Sequence, residues 1–214
     1  STVTRHNLEQ LDAMIALLEQ LDIVLWSVFF LVPVGRGSSV ELISAEEFER
    51  VFEKLYQTSR RVKFDIKSTE AQHYRRFLLQ RRAEAKRKGD GQPARSVIGT
   101  ITPDGIGRGP LGINDGKGFV FVSHTGEVFP SGFLPVSAGN VRKRRLGYLY
   151  RHSPLFLSLR DTKNLKGKCG ICEFREICGG SRARAYATTG DMFAQEPCCV
   201  WQPRQPGGTM ESFV

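Results

Sequence analysis

Three cysteines fall within ten residues in "CGICEFREICGG" (169–180), spaced Cys-x2-Cys-x5-Cys, and the adjacent pair Cys198 and Cys199 follows downstream. A Cys-x2-Cys turn points two sulfurs the same way, so Cys169 and Cys172 can share one metal site. Cys178 can add a third thiolate, and Cys198 or Cys199 a fourth. Four thiolates suit either zinc or an iron–sulfur cluster. Zinc ribbons usually carry a second Cys-x2-Cys pair, whereas the far end here is a Cys-Cys doublet. The glycines Gly179-Gly180 let backbone approach closely and aim N–H groups at sulfur, which tunes a redox centre. The pattern leans toward iron–sulfur. A non-catalytic, zinc-stabilised basic binding module is the alternative reading.

The rest of the chain must position this cluster of thiols. Its 214 residues are enough for one sizeable core plus a small satellite. A hydrophobic content of 40% and a charged content of 25% place it with ordinary globular proteins. The five cysteines are odd in number, and the first 168 residues contain none, so a secreted disulfide scaffold is not expected. The net charge of +9 is concentrated in Arg60 to Lys88 and Arg142 to Arg151. Aromatic residues do not interleave with these charges as a single-strand stacking platform requires, so nucleic acid is not the expected partner. The apolar run Ile23 to Val34 is interrupted by Ser27 and Pro33 and is too short to span a bilayer. No membrane and a cytoplasmic setting are expected.

Periodicity predicts strand and helix in alternation over the first 90 residues. "STVT" reads as the tail of a strand. Leu8, Leu11, Ile15, Leu18 and Leu21 mark a helix, with Asn7 and Gln10 placed for a capping box. "IVLWSVFFLV" (23–32) reads as a strand buried on both faces. Ser44 with Glu47 forms a second capping box before the stripe Phe48, Val51, Phe52, Leu55 and Tyr56. "VKFDIKST" (62–69) is a third strand, and Glu70 to Lys88 a basic helix whose Arg75 and Arg76 form a solvated face or else meet a substrate carboxylate. This is parallel α/β logic. Glycine and proline crowd the stretch 89–118, which reads as a linker. "FVFVSHTGEVFPSGFLPV" is a hairpin about Thr125-Gly126, and "SPLFLSLRD" a short helix. His6, His73, His124 and His152 lie on different elements and read as surface or hydrogen-bonding histidines.

"KCGICEFREICGGSRARAYATTGDMFAQEPCC", preceded by the hairpin and by "GNV" (139–141), resembles the SPASM or twitch extension of radical SAM enzymes. The nearest subgroup is the haem d1 and alternative haem b maturases. "TVTRHN" and "LVPVGRG" are similar to the fourth and fifth barrel strands of that family. The resemblance implies a partial, open, parallel TIM-like barrel of about three βα units, followed by a small SPASM/twitch-like domain. The expected boundaries are 1–90 for the partial barrel, 91–117 for the linker, 118–204 for the auxiliary iron–sulfur domain and 205–214 for a tail.

The resemblance also implies roles. Cys169, Cys172 and Cys178 match ligands of one auxiliary [4Fe–4S] cluster. The family's Glu/Asp-Pro-x-Cys segment, set in register by Glu196-Pro197, makes Cys199 the fourth ligand, with Cys198 as the other possibility. Two further ligand positions of the family hold Ser131 and Arg182, so a second auxiliary cluster is not expected. Thr2, Thr4, Gly35 and Arg36 are implied near S-adenosylmethionine or substrate. The family cleaves S-adenosylmethionine on another [4Fe–4S] cluster, held by Cys-x3-Cys-x2-Cys, a motif this sequence does not contain. The chain is therefore expected to be the C-terminal portion of a longer oxidoreductase and unable to cleave S-adenosylmethionine alone. An external electron donor and a porphyrin-like or peptide substrate are the implied partners.

Overall fold

The computed structural model describes residues 1–37, 39–89 and 113–203. Two small sheets organise it. The first is parallel, with strands β1 (Thr2–Val3), β2 (Leu25–Phe30) and β3 (Asp65–Thr69) in the order β1-β2-β3. Thr2 pairs with Phe29, and Leu25 with Asp65. Each strand is followed by a helix: α1 (Leu11–Gln20), α2 (Ala45–Arg61) and α3 (His73–Lys88). This is the α/β alternation expected, with a three-stranded sheet compatible with part of a barrel.

Local chemistry accounts for the helix starts. At α2 both arms of the capping box form: Glu47 N–H donates to Ser44 Oγ (3.2 Å) and Ser44 N–H to Glu47 Oε2 (2.6 Å). The expected box at Asn7 does not form. The Asn7 side chain instead bonds Thr2 O (2.8 Å) and Thr4 N–H (2.9 Å), and a 3-10 turn, Leu8–Gln10, leads into α1. The basic helix begins at His73 rather than Glu70, because Glu70 takes a left-handed φ of +57° that breaks helical continuity.

β2 is buried mainly on one face. Trp26, Val28 and Phe30 enter the core, while Ser27 is exposed and Leu25 and Phe29 are half-buried. Phe48, Phe52, Leu55, Tyr74, Phe77 and Leu78 from α2 and α3 close over that face. The two-face expectation fails because these helices supply only one cover. Phe29, on the other side, meets Phe133 (5.1 Å between centroids).

The second sheet is antiparallel: β4 (Phe121–Val122), β5 (Glu127–Phe129) and β6 (Gly139–Asn140). The hairpin expected about Thr125-Gly126 is present, and Gly139-Asn140 adds a third strand. Helices α4 (Leu146–His152), α5 (Pro154–Arg160), α6 (Gly167–Ile171) and α7 (Arg182–Thr189) follow. Most of the expected linker, and the tail at 205–214, lie outside the described residues. Among the described residues no helix is long and apolar enough to cross a membrane.

The two units meet at the C-terminal ends of the parallel strands. Arg184 on α7 donates from Nε to Leu31 O (3.1 Å), just past β2, and from Nη2 to Glu70 O, just past β3. Ser181 Oγ donates to Glu70 Oε2 (2.6 Å). The cysteine-bearing segment thus sits over the βα loops, the edge where α/β folds place their chemistry.

Candidate metal centre

Four cysteines line one pocket, which has a cavity volume of about 20 Å³ and is partly open to solvent. Cys169 comes from α6 and Cys172 from its C-cap. Cys178 precedes α7, and Cys199 lies beyond it. Cys198 turns the other way. It is 6% exposed, belongs to the core of the α/β unit, and its Sγ lies 4.0 Å from Ile43 O.

Backbone N–H groups reach into the pocket. Glu196 N–H donates to Cys169 Sγ (3.3 Å) and Gly180 N–H to Cys178 Sγ (3.4 Å). The backbones of Phe174 and Trp201 lie beside Cys172 and Cys199 and favour their thiolates. Such bonds stabilise thiolate over thiol. Burial acts against them: it pushes Cys172 up to about 12, and raises Cys178 and Cys199 as well. Burial thus favours the thiol form of Cys172, Cys178 and Cys199, and a metal bound there must displace their protons.

The glycine pair is required where it stands. Gly179 and Gly180 both have left-handed φ, +65° and +64°. A Cβ on Gly180 would lie 2.7 Å from Glu196 Cβ, on the segment that carries the Cys169 hydrogen bond. Asn114 fixes the same turn by donating to Gly180 O (2.7 Å) and Cys178 O (3.2 Å).

Positive charge surrounds the sulfurs. Arg75 donates to Ile177 O (2.9 Å), inside the cysteine loop. Arg76 is 3% exposed, pairs with Glu49 and lies over the Trp201 ring. Lys168 donates to Cys199 O. The solvated face expected for Arg75 and Arg76 is thus corrected: the docked cysteine segment covers it. The reading of His73 as a surface or hydrogen-bonding histidine is also corrected: it is 0% exposed and lines the same pocket. It packs against Phe48 and Phe52, and neither ring nitrogen has a hydrogen-bond partner. The Cys198 carbonyl lies beside the ring without meeting hydrogen-bond geometry. Burial pushes His73 down to about 3, so the ring is neutral.

Ser131 and Arg182 lie away from these thiols. Ser131 Oγ accepts from Phe133 N–H (3.3 Å). Arg182 is buried and donates to Met192 O (2.9 Å) and Ala194 O (2.7 Å), clamping a loop. Thr2, Thr4, Gly35 and Arg36 share the loop edge of the parallel sheet, but none lines the cysteine pocket.

The donor set can be tested against its two candidates. A tetrahedral zinc with Zn–S near 2.3 Å needs its sulfurs within roughly 4 Å of one another. Among the described residues, no three His, Cys, Asp or Glu side chains close around a point as a single metal ion requires. Four thiols line one pocket with Arg76 and Lys168 beside them.

The chain is 40% identical over 203 residues to an AdoMet-dependent heme synthase of Methanosarcina barkeri, covering 95% of this chain and 55% of that protein. It is 41% identical over 212 residues to an AdoMet-dependent heme synthase of Nitratidesulfovibrio vulgaris, covering 96% and 54%. The similarity to these proteins runs over nearly all of this chain. It spans about half the length of the AdoMet-dependent heme synthases it matches. A PqqA peptide cyclase of Methylocella silvestris is 35% identical over 114 residues, half of this chain and 31% of the cyclase. No family model matches the chain.

Proposed function

We propose that this chain is the C-terminal portion of a radical SAM/SPASM oxidoreductase and holds one auxiliary [4Fe–4S] cluster through Cys169, Cys172, Cys178 and Cys199. The observation that carries the reading is the set of four thiols around one pocket, two of them already bonded by backbone N–H groups. The orientation of Cys198 toward the core supports Cys199 as the fourth ligand.

When bound, such a cluster supplies one-electron transfer. The protein's residues prepare for it. Backbone N–H groups stabilise the thiolates, and Arg75, Arg76 and Lys168 offset negative charge. The Arg184–Glu196 pair and Ser181 hold the pocket over the loop edge of the parallel sheet. That sheet is read as part of a barrel, and Thr2, Thr4, Gly35 and Arg36 on the same edge are read as lining an S-adenosylmethionine or substrate cavity.

The near-complete match to heme synthases favours a haem-pathway porphyrin over a peptide as substrate. An external electron donor and a cytoplasmic setting complete the reading. Anaerobic reconstitution tests it. A brown protein with broad visible absorption and an EPR signal on reduction is expected. A colourless protein that takes up only zinc would overturn it and leave the basic binding module.

A further inference from the structure

The pocket contains two buried nitrogen groups without a hydrogen bond, and the nearest acceptor to His73, the Cys198 carbonyl, lies beside the ring outside hydrogen-bond geometry. His73 is fully buried with both ring nitrogens unpartnered, and Arg76 Nε is likewise without an acceptor. Both side chains line the pocket, and both come from the first turn of α3, three residues apart and so on one face. A buried imidazole without partners is costly, and a native structure that keeps one has an acceptor for it in the functional state. Cys169 and Cys178 already receive backbone N–H groups, from Glu196 and Gly180. The unmatched donors point to an acceptor supplied by what the pocket holds.

We propose that His73 donates its ring N–H to an inorganic sulfide of the cluster and sets the cluster's reduction potential. This rests on the cluster reading above. The aromatic packing of His73 serves that purpose. Phe48 and Phe52 lie 5.0 and 4.9 Å from the ring and fix its plane, while their apolar surfaces offer no competing acceptor. Burial keeps the ring neutral, so it contributes a hydrogen bond without adding a charge beside Arg76. A donor to sulfide stabilises the reduced, more negative cluster, and its removal shifts the potential to more negative values. His73 is a positioning and tuning residue, not a cluster ligand.

The test uses the reconstituted full chain, His73→Phe, which keeps the aromatic packing, and His73→Gln, which keeps an N–H donor. The readouts are iron content, an EPR-monitored redox titration, and pulsed EPR of reduced protein labelled with 15N-histidine. Expected are wild-type iron content in both variants, a more negative potential in His73→Phe, and a potential in His73→Gln restored toward wild type. The labelled wild type shows a 15N coupling that His73→Phe lacks. An unchanged potential in His73→Phe, or no 15N coupling in the wild type, overturns the proposal. If His73→Phe holds no iron, His73→Gln decides: retention with a near-wild-type potential supports the proposal, while loss of iron or a lowered potential overturns it. Failure of the wild type itself to take up iron and sulfide is a separate result that removes the cluster reading.

Discussion

Arg184 and Glu196 meet at 3.2 Å with their side chains 0% and 1% exposed, so the ion pair at the junction of the two units is closed to water. Burial works to raise the Glu196 pKa, but the Arg184 charge, aided by N–H groups of Ser181 and Cys198, holds it below the ordinary carboxylate range. Arg184→Met leaves that carboxylate buried and unpaired. A loss of about 3–5 kcal/mol is expected, read as a lower urea midpoint. Iron uptake should fall with it, because Glu196 N–H serves Cys169.

Glu70 gives the pH dependence. Burial first, then the nearby charge of Asp115, push it up to about 8 from 4.5. The folded state keeps a proton through that window which the unfolded chain has released. Stability therefore falls as pH rises from about 4.5 to about 8 and levels off above. Glu70→Gln, which still accepts from Ser181 Oγ, should flatten this slope and exceed wild type in stability above the window. Urea midpoints measured across the range check it.

The cysteine doublet separates cleanly by variant. Cys199→Ala should lose or degrade the cluster. Cys198→Ala should keep it and cost about 1 kcal/mol of core packing. Iron content and the EPR signal of the two variants decide, and the opposite pattern shows the register to be wrong.

Stoichiometry follows from Ser131 and Arg182. Both are engaged in hydrogen bonds that hold loops. Reconstituted protein should bind about four irons and about four sulfides per chain, the content of one [4Fe–4S] cluster. A reproducible value near double that means other ligands exist.

The 214 residues lack Cys-x3-Cys-x2-Cys. Incubation of the reduced, reconstituted chain with S-adenosylmethionine should yield 5′-deoxyadenosine only at background. Formation above that level shows that another group binds the reactive cluster.

Much of this was legible before the structure. The α/β alternation follows from apolar runs and stripes, because each strand and helix must bury its own face. The Ser44 box is local chemistry and formed as read. The Asn7 box has an equally good local pattern, but a nearer competitor, the end of β1, took the side chain. The pocket wall built by α3 was not legible. Its composition is basic, and only docking of a distant segment covers Arg76 and His73. One signal was available: His73 stands four residues before the buried Phe77, on the same face of the helix.

The sulfur environment is written in the path of the main chain. The hydrogen bonds to Cys178 and Cys169 come from the peptide groups of Gly180 and Glu196, and the peptide groups of Phe174 and Trp201 lie beside Cys172 and Cys199. None of these groups belongs to a side chain, although Gly180 is fixed by its left-handed φ and Glu196 by its pair with Arg184. Proline alone carries no N–H. Homologues that retain this centre should therefore exclude proline at those four sites.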